Sequence, residues 1–144
     1  MKEAVYVDSN VFILPVLGEK SERARGARTV LERVESGELL AYTSILTWDE
    51  LVWVVSKVLG RTDGIQAGRK LLNFPGLRLI DVTAQVISRA QTMVESYRLA
   101  PRDAVHCASA LTRGLSTLVS DDRGLDVVAE LRRSTLESFS STPR

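Results

Sequence analysis

Residues 4–16 read AVYVDSNVFILPV, and the fold turns on how this stretch divides. Ala4 to Val7 is a short apolar run with β-formers, and Asp8, Ser9 and Asn10 are residue types that cap helix N-termini. The apolar residues after them carry helical spacing. The segment therefore reads strand, turn, helix.

The same unit recurs outward along the chain. Ser21 or Glu22 to Glu35 places Ala24, Ala27, Val30, Leu31 and Val34 on one stripe and stops at Gly37, which predicts a second helix. Leu39 to Tyr42 is expected as a strand, with Ser44 capping a helix over Ile45 to Leu59 that ends at Gly60. Next come a weaker helix from about Asp63 to Leu72, a strand at Leu77 to Ile80 and a helix from Ala84 to Tyr97. Pro101 suits the first turn of a helix reaching Arg113, followed by a strand at Ser116 to Ser120, a short helix around Leu125 to Glu130 and a last edge strand near Arg133 to Leu136. Strands alternating with helices predict a parallel sheet of about five strands in a three-layer α/β/α domain.

A chain of 144 residues has room for one domain, expected over 1–137, with a polar tail at 138–144 expected to fray. Nineteen basic against eighteen acidic residues leave a net charge of +1, so any nucleic-acid contact must come from a local patch. The single cysteine, Cys107, excludes an internal disulfide framework and a cysteine-rich zinc site and fits a reducing compartment. The longest apolar runs fall far short of the roughly 20 residues of a membrane span. The N-terminal residues lack the pattern of a signal peptide. A cytoplasmic protein with no membrane partner is expected.

In an open parallel sheet, ligands bind beyond the carboxyl ends of the strands. Asp8, Asp81 and the pair Asp121-Asp122 follow three of the expected strands, and Glu50 and Asp103 lie near the starts of their helices. Asp8, Asp81 and Asp121 could equally cap local backbone, and Asp103 could complement a helix dipole. Glu50 differs, because its helical neighbours Leu46, Trp53 and Val54 put its charge on an apolar face, where it is costly unless paired or bound to a cation. Acids gathered without basic partners repel one another, and a divalent cation resolves this. Oxygen-only ligands favour Mg²⁺ or Mn²⁺ over zinc.

Other polar residues are read more plainly. His106, three residues after Asp103, lies in an apolar helix and is expected to be a partly buried, hydrogen-bonded packing residue rather than a general base. Cys107 reads as a small core side chain. Arg23, Arg25, Arg28 and Arg33 alternate with Glu22, Glu32 and Glu35, as on a solvated helix face. The helix Ile45 to Leu59 is apolar on nearly every side between Ile45 and Val55, with Trp48 and Trp53 on different faces, which predicts a homodimer.

Four segments resemble motifs of the PIN-domain ribonucleases: VDSN at 7–10, TSILTWDEL at 43–51, PRDAVHCASA at 101–110 and LVSDDRGLD at 118–126. The resemblance covers nearly the whole chain, and the third motif is the one specific by itself. It implies acids at Asp8, Glu50, Asp103 and Asp122, with Asp121 as the alternative fourth, holding Mg²⁺ or Mn²⁺ for hydrolysis of RNA phosphodiesters. Asn10 and Ser120, uncharged and adjacent to these acids, could orient the carboxylates or equally cap local backbone, and Arg102 and Arg123, which flank two of the acids, could touch substrate phosphates or only balance charge. Small single-domain members are similar to VapC-type toxins of toxin–antitoxin pairs, which implies an RNA substrate and a cognate antitoxin. An RNA-processing nuclease outside such a pair, or a noncatalytic scaffold of the same fold, are the alternatives. A receiver domain would need a lysine after a late strand, which Lys2, Lys20, Lys57 and Lys70 do not supply. A dehalogenase-type phosphatase wants an acid where Asn10 stands, and Gly60, Gly64 and Gly68 lack the spacing of a phosphate loop.

Overall fold

A computed structural model of the chain describes residues 3–140. Five strands, β1 (Ala4–Val7), β2 (Leu40–Ser44), β3 (Leu77–Ile80), β4 (Thr117–Val119) and β5 (Arg132–Ser134), form one parallel sheet in the order β3-β2-β1-β4-β5. The chain builds outward from β1 to one edge, then crosses back to add β4 and β5 on the other side. The switch point, where a parallel sheet opens a crevice at its carboxyl edge, therefore lies between β1 and β4.

Side chains alternate across a strand, and β1 divides the core accordingly. Val5 and Val7 face a layer made of α1 (Ser9–Val16), α2 (Glu22–Glu35), α3 (Leu46–Leu59) and α4 (Arg61–Leu72), burying Val11, Val30, Val34 and Val55 among others. Tyr6 faces the opposite layer, α5 (Ala84–Tyr97) and α6 (Pro101–Thr112), with Val86, Met93, Ala104 and Ala108. Ala104 and Ala108 recur one turn apart in α6 and are fully buried, so this helix seats closely on the sheet. The result is the three-layer α/β/α arrangement.

Local chemistry sets the boundaries. Asp8, Ser21 and Thr83 cap α1, α2 and α5 with their side chains, and glycines at 37, 60, 76 and 114 adopt the positive φ that ends or turns the chain there. β2 runs two residues beyond the expected Tyr42, because Ser44 both ends the strand and accepts from the Leu46 N–H at 3.0 Å. The short helix expected near Leu125 to Glu130 is a 3-10 turn at Arg123–Val127, and the last strand starts one residue early.

Gly64 and Gly68 serve helix packing: a Cβ at Gly64 would stand 1.9 Å from Ser56 Oγ, and one at Gly68 would stand 2.7 Å from Val52 Cγ2. α3 and α4 can approach this closely because both residues are glycine. After β5, Leu136 is fully buried against α2, a burial that contributes roughly 1.5–3 kcal/mol. It anchors α7 (Glu137–Ser140), whose Phe139 packs on the first core layer and under the Arg33 guanidinium at 5.6 Å. The segment expected to fray therefore begins as a helical turn at 138–140, and residues 141–144 lie outside the described residues.

Candidate active site

The carboxyl ends of β1 and β4 are stitched together by short polar side chains. Asp8, buried at the end of β1, donates its backbone N–H to the Val119 carbonyl at 3.0 Å and caps α1 by accepting the Ser9 N–H on Oδ1 at 2.8 Å. Its second oxygen accepts from Ser120 Oγ at 2.6 Å and Asn10 Nδ2 at 3.3 Å. Capping and site geometry thus coexist in one residue. Ser120 Oγ also accepts from the Asp122 N–H at 3.0 Å, and Asn10 Oδ1 accepts from the Asp121 N–H at 3.3 Å. Asn10 and Ser120 therefore fix the loop after β4 relative to Asp8.

Glu50 enters from α3, one turn after the helix start, and meets His106 of α6: His106 Nε2 lies 2.5 Å from Glu50 Oε1 and 3.6 Å from Asp8 Oδ1. Burial pushes the Glu50 carboxyl up, but the hydrogen bond and charge of His106, with Ser9 and Arg102, bring it below its ordinary value. For His106, burial favours the neutral ring, yet Glu50, Asp8 and Asp103 outweigh it and raise its affinity for a proton. His106 is hydrogen-bonded, as the sequence predicts, but fully rather than partly buried, and its hydrogen-bond partners are Tyr6 and Glu50.

Asp103 occupies the first turn of α6 behind Pro101. Burial raises its pKa first, and the charges of Asp122, Asp8 and Glu50 add to that against the lowering effect of His106. Three carboxylates from three other segments thus act on Asp103 at once. The two adjacent acids after β4 separate: Asp121 Oδ2 accepts from Arg23 Nη1 at 2.6 Å, whereas Asp122 turns to accept the Gly124 N–H at 2.8 Å and opens the 3-10 turn. Among the described residues, no arginine or lysine pairs with Asp8, Glu50, Asp103 or Asp122.

No three His, Cys, Asp or Glu side chains among the described residues are arranged to hold one metal ion. The donor set nevertheless fits a hard divalent cation in atom type and charge, since it is made of carboxylates and the charges of Asp122, Asp8 and Glu50 all oppose ionisation of Asp103. Arg102 is exposed at the start of α6, 3.8 Å from Asp49, and Arg123 is exposed on the 3-10 turn. Asp81 lies exposed after the edge strand β3, with β2 between that strand and β1. Burial, followed by the charges of Asp8, Asp103 and Asp122, pushes the Cys107 thiol up to about 12, which removes it as a nucleophile at neutral pH.

Sequence reasoning missed Tyr6, Arg23 and Arg133. Tyr6 is fully buried with its hydroxyl on His106, and its one signal is alternation, an aromatic facing away from Val5 and Val7. Arg23 leaves the expected solvated face to bind Glu19 with two nitrogens and Asp121 with a third, and the Arg23 and Ser21 hydrogen bonds hold Glu19 down at about 2. Arg133 donates to the Ser120 carbonyl at 3.0 Å and bonds Asp126. Spacing along the chain could suggest the Glu19–Arg23 pair, four residues apart, but carries no trace of the Arg23–Asp121 or Arg133–Ser120 contacts.

The chain is thus a doubly wound parallel α/β domain with a group of acids gathered at its switch point. The chain belongs to the PIN-domain family, whose model matches residues 5–131. Among solved structures it is similar to DNA-bound VapBC from Salmonella typhimurium, at 17% identity over 94% of this chain and 99% of that one, with a TM-score of 0.70. It is similar also to VapBC2 from Rickettsia felis bound to a fragment of promoter DNA, at 17% identity over 92% and 98%, with a TM-score of 0.68. A third is Mycobacterium tuberculosis VapC20, described as a sarcin–ricin loop cleaving toxin, at 16% identity over 79% and 86%, with a TM-score of 0.65. Among curated proteins there is no sequence match. No helix among the described residues is long and apolar enough to cross a membrane.

Proposed function

We propose that the protein is a divalent-cation-dependent endoribonuclease and the toxin of a VapBC-type pair. The observation that carries the reading is the gathering of Asp8, Glu50, Asp103 and Asp122 at the switch point without an arginine or lysine ion-pair partner, where burial and then the charges of Asp122, Asp8 and Glu50 raise Asp103. Asp8, Glu50, Asp103 and Asp122 would hold Mg²⁺ or Mn²⁺. Such a cation supplies the charge that activates a water for in-line attack on the phosphodiester and steadies the leaving oxygen.

The chain's own residues do the rest. Asn10 and Ser120 hold Asp8 and the loop bearing Asp122 in one register, and His106 engages Glu50 from the buried side. Arg102 and Arg123, exposed beside Asp103 and Asp122 in the chain, would meet phosphates of an RNA strand. An antitoxin partner is supported by the VapBC complexes among the structural neighbours, and a homodimer by the exposed tryptophans of α3. A cytoplasmic site of action accords with the free, buried Cys107.

Purified protein incubated with single-stranded RNA and Mg²⁺ should release fragments bearing 5′ phosphates, and EDTA should abolish their release. RNA left intact under both conditions would remove the nuclease reading, and undiminished cleavage in EDTA would remove the cation from it.

A further inference from the structure

A buried polar chain reaches Glu50 from the far side of the sheet. The Ser44 N–H donates to Tyr6 Oη at 3.0 Å, Tyr6 Oη and His106 Nδ1 are 2.6 Å apart, and His106 Nε2 meets Glu50 Oε1 at 2.5 Å. With the ring neutral, one proton order satisfies every member: the Tyr6 O–H donates to Nδ1, and the Nε2–H donates to the carboxylate. β2, β1, α6 and α3 are joined by this chain, and Tyr6, Ser44 and His106 are at most 1% exposed.

Packing alone does not call for these residue types. Phenylalanine and leucine would fill comparable space without desolvating a hydroxyl and an imidazole, a cost offset here only because both groups are hydrogen-bonded. What the polar pair adds is direction. The Glu50 side chain is 16% exposed at the rim of the site and has three free torsions, and the N–H of Nε2, which lies 3.6 Å from Asp8 Oδ1, selects one orientation of its carboxylate. General-base work is closed to His106, because both ring nitrogens are engaged and the ring is buried.

We propose that Tyr6 and His106 are positioning residues: a strut anchored on the sheet that holds the Glu50 carboxylate in register with Asp8. The proposal rests on the nuclease reading above, since it concerns the orientation of one of that site's acids. Hydrogen-bond partners that orient metal-ligating groups are typically worth about 10–100-fold in metal affinity or activity.

Three variants of the full chain test it, by calorimetric titration with Mn²⁺ and by single-turnover RNA cleavage. His106→Leu removes the donor to Glu50, Tyr6→Phe removes only the anchoring oxygen, and His106→Gln keeps an N–H near the Nε2 position. His106→Leu is expected to weaken Mn²⁺ binding and slow turnover by ~10–100-fold with the KM for RNA unchanged. Tyr6→Phe should move both in the same direction by a smaller factor, and His106→Gln should recover most of the Mn²⁺ affinity. If His106→Leu does not fold, Tyr6→Phe alone decides. Wild-type Mn²⁺ affinity and turnover in the folded variants would overturn the strut and leave the nuclease reading standing. Wild-type protein that binds no Mn²⁺ would overturn both together.

Discussion

Arg23 on α2 grips Asp121 at 2.6 Å while Asp122, the next residue, has no cationic partner among the described residues. The guanidinium is itself held by Glu19 through Nε at 2.6 Å and Nη2 at 2.9 Å, and Ser21 Oγ donates to the same Glu19 carboxylate at 2.6 Å. A carboxylate neutralised in this way is a poor ligand, and its unpaired neighbour is the better one. Asp122→Asn is expected to cost more RNA-cleaving activity than Asp121→Asn, by at least about tenfold. Equal loss, or a larger loss at Asp121, in parallel rate measurements would move the fourth acid one residue back.

Asp103 makes the site a stability problem as well as a functional one. An acid whose folded-state pKa is raised binds more protons folded than unfolded between the two values. Metal-free stability therefore falls as pH rises from the unfolded value of about 3.9 through the raised one, and the cost is fully present only above that raised value. Asp103→Asn should melt at or above the wild-type temperature in EDTA and lose most of the stabilisation that Mg²⁺ gives the wild type. If Asp103 were only a complement to the α6 dipole, the variant would lose ~0.3–1 kcal/mol and keep the Mg²⁺ response. Thermal melts of both proteins, with and without Mg²⁺, separate these outcomes.

Gly26 sets two effects against each other. Replacing a helix-interior glycine with alanine ordinarily gains about 1 kcal/mol in helix propensity. Here the new Cβ would stand 1.8 Å from the Leu136 carbonyl oxygen, a backbone atom, so the segment carrying α7 must move. Overpacking of this kind costs ~1–3 kcal/mol, so Gly26→Ala should be destabilised on balance. Urea denaturation reads the sign directly, and a stabilised variant would contradict the close approach of α2 and Leu136.

Trp48 and Trp53 remain 43% and 55% exposed on α3, although Lys57 lies over the Trp53 ring at 4.7 Å. Tryptophans left in water on one helix favour a protein partner. Light scattering at micromolar concentration should return twice the 15.9 kDa of one chain. A mass of one chain would contradict the dimer.

The strand-to-helix unit at 4–16 was legible because capping chemistry and apolar spacing are local. The same locality placed Asp8 and Asp103 at their element ends, and the apolar neighbours of Glu50 marked its charge as unusual. The Tyr6–His106 and Arg23–Asp121 contacts were not legible, since their partners stand 100 and 98 residues apart and meet only once the sheet order is known. Ser44 misled for a different reason: one residue both ends β2 and bonds the first turn of α3, and the cap signal masked the strand. Phe139 hides in a polar tail whose composition argues for fraying, yet the buried Leu136 beside it supplies the anchor.

The most direct test of the central claim, that acids from four segments act together on RNA through a divalent cation, is cleavage of single-stranded RNA by wild type, Asp8→Asn, Glu50→Gln and Asp103→Asn at equal concentration in Mg²⁺, each repeated in EDTA. The account expects wild type to cut only in Mg²⁺ and each variant to lose most turnover while keeping its fold by circular dichroism. Folded variants that cut as fast as wild type, or wild-type cleavage that survives EDTA, would contradict it.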